Sequence, residues 1–206
     1  MVPKIEFAYS WVYERMLLPN RLSYKKVYYI ESNEFVKNVE KDWGRIEKKI
    51  LDSMCEFLDI KWKDKVIKCY VVRKSYFTAI SEPLTIPIET INKNLKIKLD
   101  ESKFIDILIH ELIHKSFFQS RCFNYYFRKL RMRYNMLDND AIIHIPIHAI
   151  QKSIYKKYFS ESRLNWYILF CQKNKSYAKS WEIVKKEGCE NIIAEIKNSK
   201  HENCLL

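Results

Sequence analysis

The stretch from Phe104 to Phe118, FIDILIHELIHKSFF, constrains this chain most, because His110, Glu111 and His114 interrupt a segment that is otherwise almost wholly apolar. Residues four apart lie one above the other on a helix, so His110 and His114 can aim two imidazoles at one point. Ile105, Ile107, Leu108, Ile109, Leu112, Ile113 and Phe117 surround them on nearly every side, the pattern of a helix embedded in a core. Burying an unpaired carboxylate and two imidazoles is costly, so these groups need partners. A divalent cation supplies one. Zinc takes imidazole nitrogen readily, and a catalytic zinc site uses three protein ligands and keeps a fourth position for water. Glu111, directly after the first histidine, is placed to act as general base on that water.

Two histidines from one helix leave the site one donor short. No Glu occurs between His114 and Phe159, so the candidates are Asp138, Asp140, His144 and His148, with Glu161 beyond them. Four of the five histidines thus fall in two pairs with a spacing of four, on two segments that both read as helical. Pro146 is tolerated in the first turn of a helix and poorly in its interior, which predicts a helix starting close to His144. On that reading His148 sits more securely inside the helix and is the preferred third ligand. His144 is the alternative ligand, or a group that steadies a ligand or an oxyanion. Tyr155 and Arg163 are further candidates for the oxyanion or substrate.

These residues and their order resemble the zincin metallopeptidases: strands first, an edge strand, the helix bearing HELIH, and a later helix offering the third ligand. The resemblance implies that His110 and His114 bind one zinc ion and that Glu111 activates the water. It implies an α+β fold, a small mixed sheet with an edge strand packed on the motif helix, followed by a mainly helical C-terminal half. The chain departs from the thermolysin-like and aminopeptidase patterns in lacking the downstream Glu, and from metzincins in having Lys115-Ser-Phe-Phe-Gln after His114. It is more similar to small zincin-like proteins of microbial and viral genomes that carry an H-x-x-x-H-A helix and a later Y-x-x-A/S-W segment, the latter here Tyr177 to Trp181.

Around this centre the chain reads as a single domain over 1–206, strand-rich with one long helix over 1–100 and mainly helical over 101–206. KIEFAYS, residues 4–10, alternates as a first strand does. Trp43, Ile46, Ile50, Met54 and Phe57 recur at helical spacing and predict one helix over 38–58 that covers a sheet. KVIKCYVVRK, residues 65–74, is the strongest strand. Pro87 predicts that the extended segment 83–89 is an edge strand, able to pair with a peptide. Residues 95–99 add a short strand, and Asp100 or Ser102 can cap the motif helix, which ends near Gln119. Asp138-Asn139-Asp140 signals a turn or a helix start, helical patterns run over 160–172 and 178–186, and NSKHENCLL reads as a frayed end.

Composition excludes some classes. With two glycines no phosphate-cradling loop can be built, which removes P-loop nucleotide hydrolysis. Six cysteines without a C-x-x-C pair argue against a disulfide framework and against a cysteine zinc site. Lys4, Glu6, Glu14 and Arg15 interrupt what a signal peptide would keep apolar, and no run is long enough to cross a bilayer, so the expected location is cytoplasmic. A net charge of +12 with lysines spread throughout is read as solvated faces rather than a nucleic-acid surface, and the densest basic cluster is Arg128, Lys129, Arg131 and Arg133. The expectation is a zinc-dependent peptidase acting on a peptide or protein. The alternatives are a basic nucleic-acid-associated protein with a structural metal and a catalytically inactive scaffold.

Overall fold

The computed structural model describes residues 2–18, 26–92, 95–119 and 123–203. Its contacts divide them into two compact units, one of 1–51 and 62–115, the other of 52–61 and 116–206. The division runs through two helices, and the fold is α+β with the strands in the first unit.

The first unit carries a five-stranded mixed sheet. Its elements are β1 (Lys4–Tyr9), α1 (Trp11–Leu17), α2 (Lys26–Gly44), the start of α3 (Glu47–Leu58), β2 (Val66–Ser75), β3 (Ile80–Ser81), β4 (Leu84–Asn92), β5 (Leu95–Lys98) and most of α4 (Glu101–Phe118). β1 and β2 are parallel, as are β2 and β4, while β3 and β5 run antiparallel to β4. Joining parallel neighbours requires a long crossover, and α1 to α3 fill the one between β1 and β2. Phe104 of α4 is fully buried, with its ring 6.3 Å from Phe7 of β1 and 5.5 Å from Phe35 of α2.

Two expectations are corrected here. The helix predicted over 38–58 is two helices, parted at Gly44, the weakest helix former in the stretch. Glu47, in the first turn of α3, accepts from the Trp43 indole at 3.0 Å and from the backbone N–H of Ile5 at 2.7 Å, which ties the restart to β1. Nor is the strand with Pro87 an edge strand: β4 lies between β2 on one side and β3 and β5 on the other. Residues 84–88 are all buried, the signature of a strand covered on both faces. Pro87 falls after the β3 pairing at 84–85 has ended and before the β5 pairing at 89–92 begins. The sheet edge on that side of β4 belongs instead to the short strands β3 and β5.

The second unit is helical: α5 (Phe123–Arg133), α6 (Asn139–Tyr158), α7 (Glu161–Cys171), α8 (Lys175–Glu187) and α9 (Cys189–Asn203), together with the end of α3. α6 is central and packs against each of the other four whole helices. It starts at Asn139, capped by Asp138, rather than near His144, so Pro146 is its eighth residue and lies in its interior. The missing proline N–H costs on the order of 3 kcal/mol. Burial of Ile142, Ile145, Ile147, Ile150 and Ile154 on the same helix offsets it. The frayed C-terminus is likewise corrected: α9 runs to Asn203, because Cys189, Ile192, Ile193 and Ile196 form a buried helical stripe. Cys122 and residues 204–206, with Cys204, lie outside the described residues; Cys55, Cys69, Cys171 and Cys189 form no disulfide among the described residues.

Glu14 is buried on α1, where its carboxylate accepts from the Tyr9 hydroxyl at 3.0 Å and from the backbone N–H of Lys74 at 3.1 Å. Burial first, then the charge of Glu14, pushes the Tyr9 phenol up to about 12. A folded-state pKa above the unfolded value of about 10 gives stability that is complete below pH 10 and is lost as pH rises through 12. Tyr9→Phe is therefore expected to flatten the fall in stability over that window, as followed by circular dichroism during alkaline denaturant titration.

Candidate metal centre

Helix α4 is held at its start by Asp100, whose Oδ1 accepts from the backbone N–H of Lys103 at 2.8 Å. Three turns on, His110 and His114 face each other, their Nε2 atoms 3.1 Å apart. Two ring nitrogens this close either share a proton or share a cation. His110 is buried and His114 partly so.

Helix α6 is fixed in the same way. Asp138 Oδ1 accepts from the backbone N–H of Ala141 at 2.8 Å, and its Oδ2 accepts from the Ser176 hydroxyl at 2.9 Å, where α8 begins. The first of these bonds is the main reason that the Asp138 carboxyl is held below its ordinary value. One turn further, His144 Nδ1 lies 2.7 Å from the carbonyl oxygen of Asp140 and 3.3 Å from its Oδ1. A carbonyl only accepts, so Nδ1 carries the hydrogen and Nε2 carries a lone pair. Such a bond on the far nitrogen is the usual support for a histidine that binds metal. His110, His114 and His144 each offer one ring nitrogen, these lie within 4.8 Å of one another, and the cluster can hold a metal ion.

The third imidazole gathered is thus that of His144, where the sequence puts His148 first. The reason lies in the helix start: with α6 beginning at Asn139, both histidines are well inside the helix and the preference for His148 loses its basis. His148 is fully buried, its Nδ1 is 2.7 Å from the Ser180 hydroxyl, and its ring stacks on Trp181 with centroids 4.4 Å apart. The oxyanion candidates are not brought together. In the tautomer fixed by Asp140, a neutral His144 has no hydrogen on Nε2 to donate. Tyr155 stands about 16 Å along α6 from His144 by helical rise. It packs on Phe159 and Tyr167, and the Arg163 guanidinium lies 4.2 Å over the Phe159 ring.

Glu111 is buried, and its Oε2 accepts from the Ser81 hydroxyl of β3 at 2.5 Å. One turn on, Lys115 pairs with Glu82, so the β3–β4 turn is fastened to α4 at two successive points. Complete burial, with the Glu111 charge as a second cause, raises the Cys69 thiol pKa. Neither Ser81 nor Tyr177, whose ring is 4.0 Å from that of His144, stands out from spacing alone. Tyr177 does belong to the Y-x-x-S-W segment that carries the resemblance, whereas nothing in the sequence marks Ser81.

In the basic cluster of α5, Arg133 binds both oxygens of Glu195, at 2.9 and 2.5 Å, and Lys129 lies 4.5 Å over the Tyr125 ring. Among the described residues no helix is long and apolar enough to cross a membrane. No family model matches the chain, and neither a curated protein nor a solved structure matches it.

Protein purified without added metal is expected to carry about one transition-metal ion per chain by elemental mass spectrometry. Replacing His110, His114 or His144 singly by Ala is expected to remove most of it, since each takes one of three donors.

Proposed function

We propose that the chain is a zinc-dependent peptidase of zincin type, with His110, His114 and His144 as the protein ligands and Glu111 as general base. The observation that carries this reading is the convergence of three ring nitrogens from the H-E-x-x-H helix and a later helix. The donor set fits the ion. Zinc–nitrogen bonds of about 2.0–2.1 Å in a tetrahedron set ligand nitrogens about 3.3 Å apart. His110 and His114 Nε2 stand 3.1 Å apart, close to that spacing, and all three donors lie within 4.8 Å of one another. All three donors are neutral imidazoles, so the bound ion would keep its full positive charge, as suits a site that activates water rather than one that is closed by thiolates.

When bound, the ion supplies Lewis acidity, lowering the pKa of a water molecule and polarising a carbonyl. The rest of the work falls to side chains. Glu111 accepts the proton that the water loses and passes it to the leaving amine as the peptide bond breaks. Ser81 donates to Oε2 of that carboxylate and so orients it. The same residue belongs to β3, whose outer side is a sheet edge, so an extended peptide could add there as a strand and lie along the residue that steadies the base. The sequence anticipated such an edge on the wrong strand. Peptide is favoured over nucleic acid because Arg133, the last arginine of the basic cluster, is already paired with Glu195.

Glu111→Gln tests the assignment. The variant should keep its zinc and lose peptide hydrolysis by roughly 10²- to 10⁴-fold, the usual contribution of a general base. Parent-like hydrolysis would remove Glu111 from the chemistry, and a parent protein that binds no zinc would remove the peptidase reading altogether.

A further inference from the structure

Away from the histidines, the first unit holds a cleft of about 380 Å³ between α2 and the sheet, at the small end of the roughly 300–1,000 Å³ that small-molecule sites occupy. The strand register explains where it lies. β1 ends at Tyr9, opposite Val71, so Arg73 stands past the carboxyl end of β1, the end at which parallel sheets usually receive ligands. β4 reaches the same level with Ile88 and Glu89, because Val72 pairs with Pro87 and Lys74 with Glu89, and β5 adds Lys98 opposite Glu89. α2 and the start of α4 supply the rest of the lining.

Its charges are unlike those of the chain as a whole. The chain carries +12, yet the cleft sets four carboxylates, those of Glu31, Glu34, Glu89 and Glu101, against Arg73 and Lys98. Two of the four are engaged: Lys74 pairs with Glu89 at 3.1 Å, and the Asn38 amide donates to Glu101 at 3.2 Å. Glu31 and Glu34, one helical turn apart, have no ion pair or hydrogen bond among the described residues. Nor, among these residues, does any carboxylate pair with Arg73; its guanidinium lies 3.5 Å over the Tyr28 ring, which holds the group without neutralising it. Phe35, steadied by the Phe104 ring at 5.5 Å, and Ile88 add an apolar wall.

We propose that this cleft binds a basic α-amino acid, of which free lysine is the simplest: Arg73 takes its carboxylate, Glu31 and Glu34 take its ammonium groups, and its methylenes lie on Phe35 and Ile88. A guanidinium fork matches a carboxylate bidentately, which a lysine in its place would not do. The excess of carboxylates over cations favours a ligand with more positive than negative charge, and the low-dielectric walls of a cleft concentrate that preference. An aliphatic stem on apolar side chains with its charged ends on polar ones is how long cationic side chains are commonly accommodated. The site lies wholly within the first unit and uses none of the metal ligands, so it stands or falls apart from the peptidase reading.

Titration of the full chain with L-lysine, followed by backbone ¹H–¹⁵N shifts, is expected to give a saturable change centred on α2 and residues 72–75. Lysine methyl ester, which lacks the carboxylate charge, and leucine, which lacks the second ammonium, should each bind about 10-fold more weakly or worse, the scale of one lost charged hydrogen bond. Arg73→Gln should bring lysine down to the level of its ester and leave the ester unchanged. Glu34→Gln, at an exposed position of α2, should weaken both. No saturable change, a change centred elsewhere, or an ester or leucine that binds as tightly as lysine overturns the proposal. So does parent-like lysine affinity in a folded Arg73→Gln or in Glu34→Gln. If Arg73→Gln does not fold, the comparison of lysine with its ester on the parent chain decides whether a carboxylate is gripped.

Discussion

Burying His110 and Glu111, and partly burying His114, on α4 sets the conditions that their neighbours must meet. A helix apolar on nearly every side is the cheapest element to bury and the worst place for an ionisable group, because such groups lose their water and must recover an equivalent partner. For Glu111 the partner is the Ser81 hydroxyl, and for the two histidines it begins with each other. That explains why a two-residue strand is present at all. β3 is too short to add much to the sheet, yet it brings Ser81 to the carboxylate and, through Glu82, fastens the following turn to Lys115.

A similar economy operates in the helical unit. Asp138 ends one loop, caps α6 and accepts from Ser176, so the start of α8 is set against the start of α6 by a single side chain. From that anchor the next residue, Tyr177, meets His144, and one turn on Ser180 and Trp181 meet His148. The two histidines are thus oriented from outside their own helix as well as from within it.

What could be read from the sequence was what depends on local pattern. The β-branched run of β2, the capping aspartates at 100 and 138 and the coincident spacing of two histidine pairs all declare themselves within a few residues. What could not be read depended on partners distant in the chain. Pro87 argues for an edge by its missing donor, but the short strands that flank β4 leave a gap at that point. Pro146 argues for a helix start by the same logic, and the isoleucines around it override the argument through burial. The choice between His144 and His148 followed from that misplaced start. The stripe of α9 was passed over, although Cys189, Ile192, Ile193 and Ile196 have helical spacing.

The interrupted course of the chain through its two units bears on how it is made. Residues 52–61 leave the ribosome early, yet they belong to the unit whose remaining residues begin at 116. Within that unit the Ser53 hydroxyl bonds to the Tyr158 hydroxyl at 2.8 Å and Glu56 pairs with Lys157 at 3.3 Å. Synthesis at about 5–20 residues per second puts roughly a hundred residues, and so about 5–20 s, between the two halves of those bonds. For that interval Met54 and Leu58, both fully buried in the finished fold, wait for the helices of their own unit.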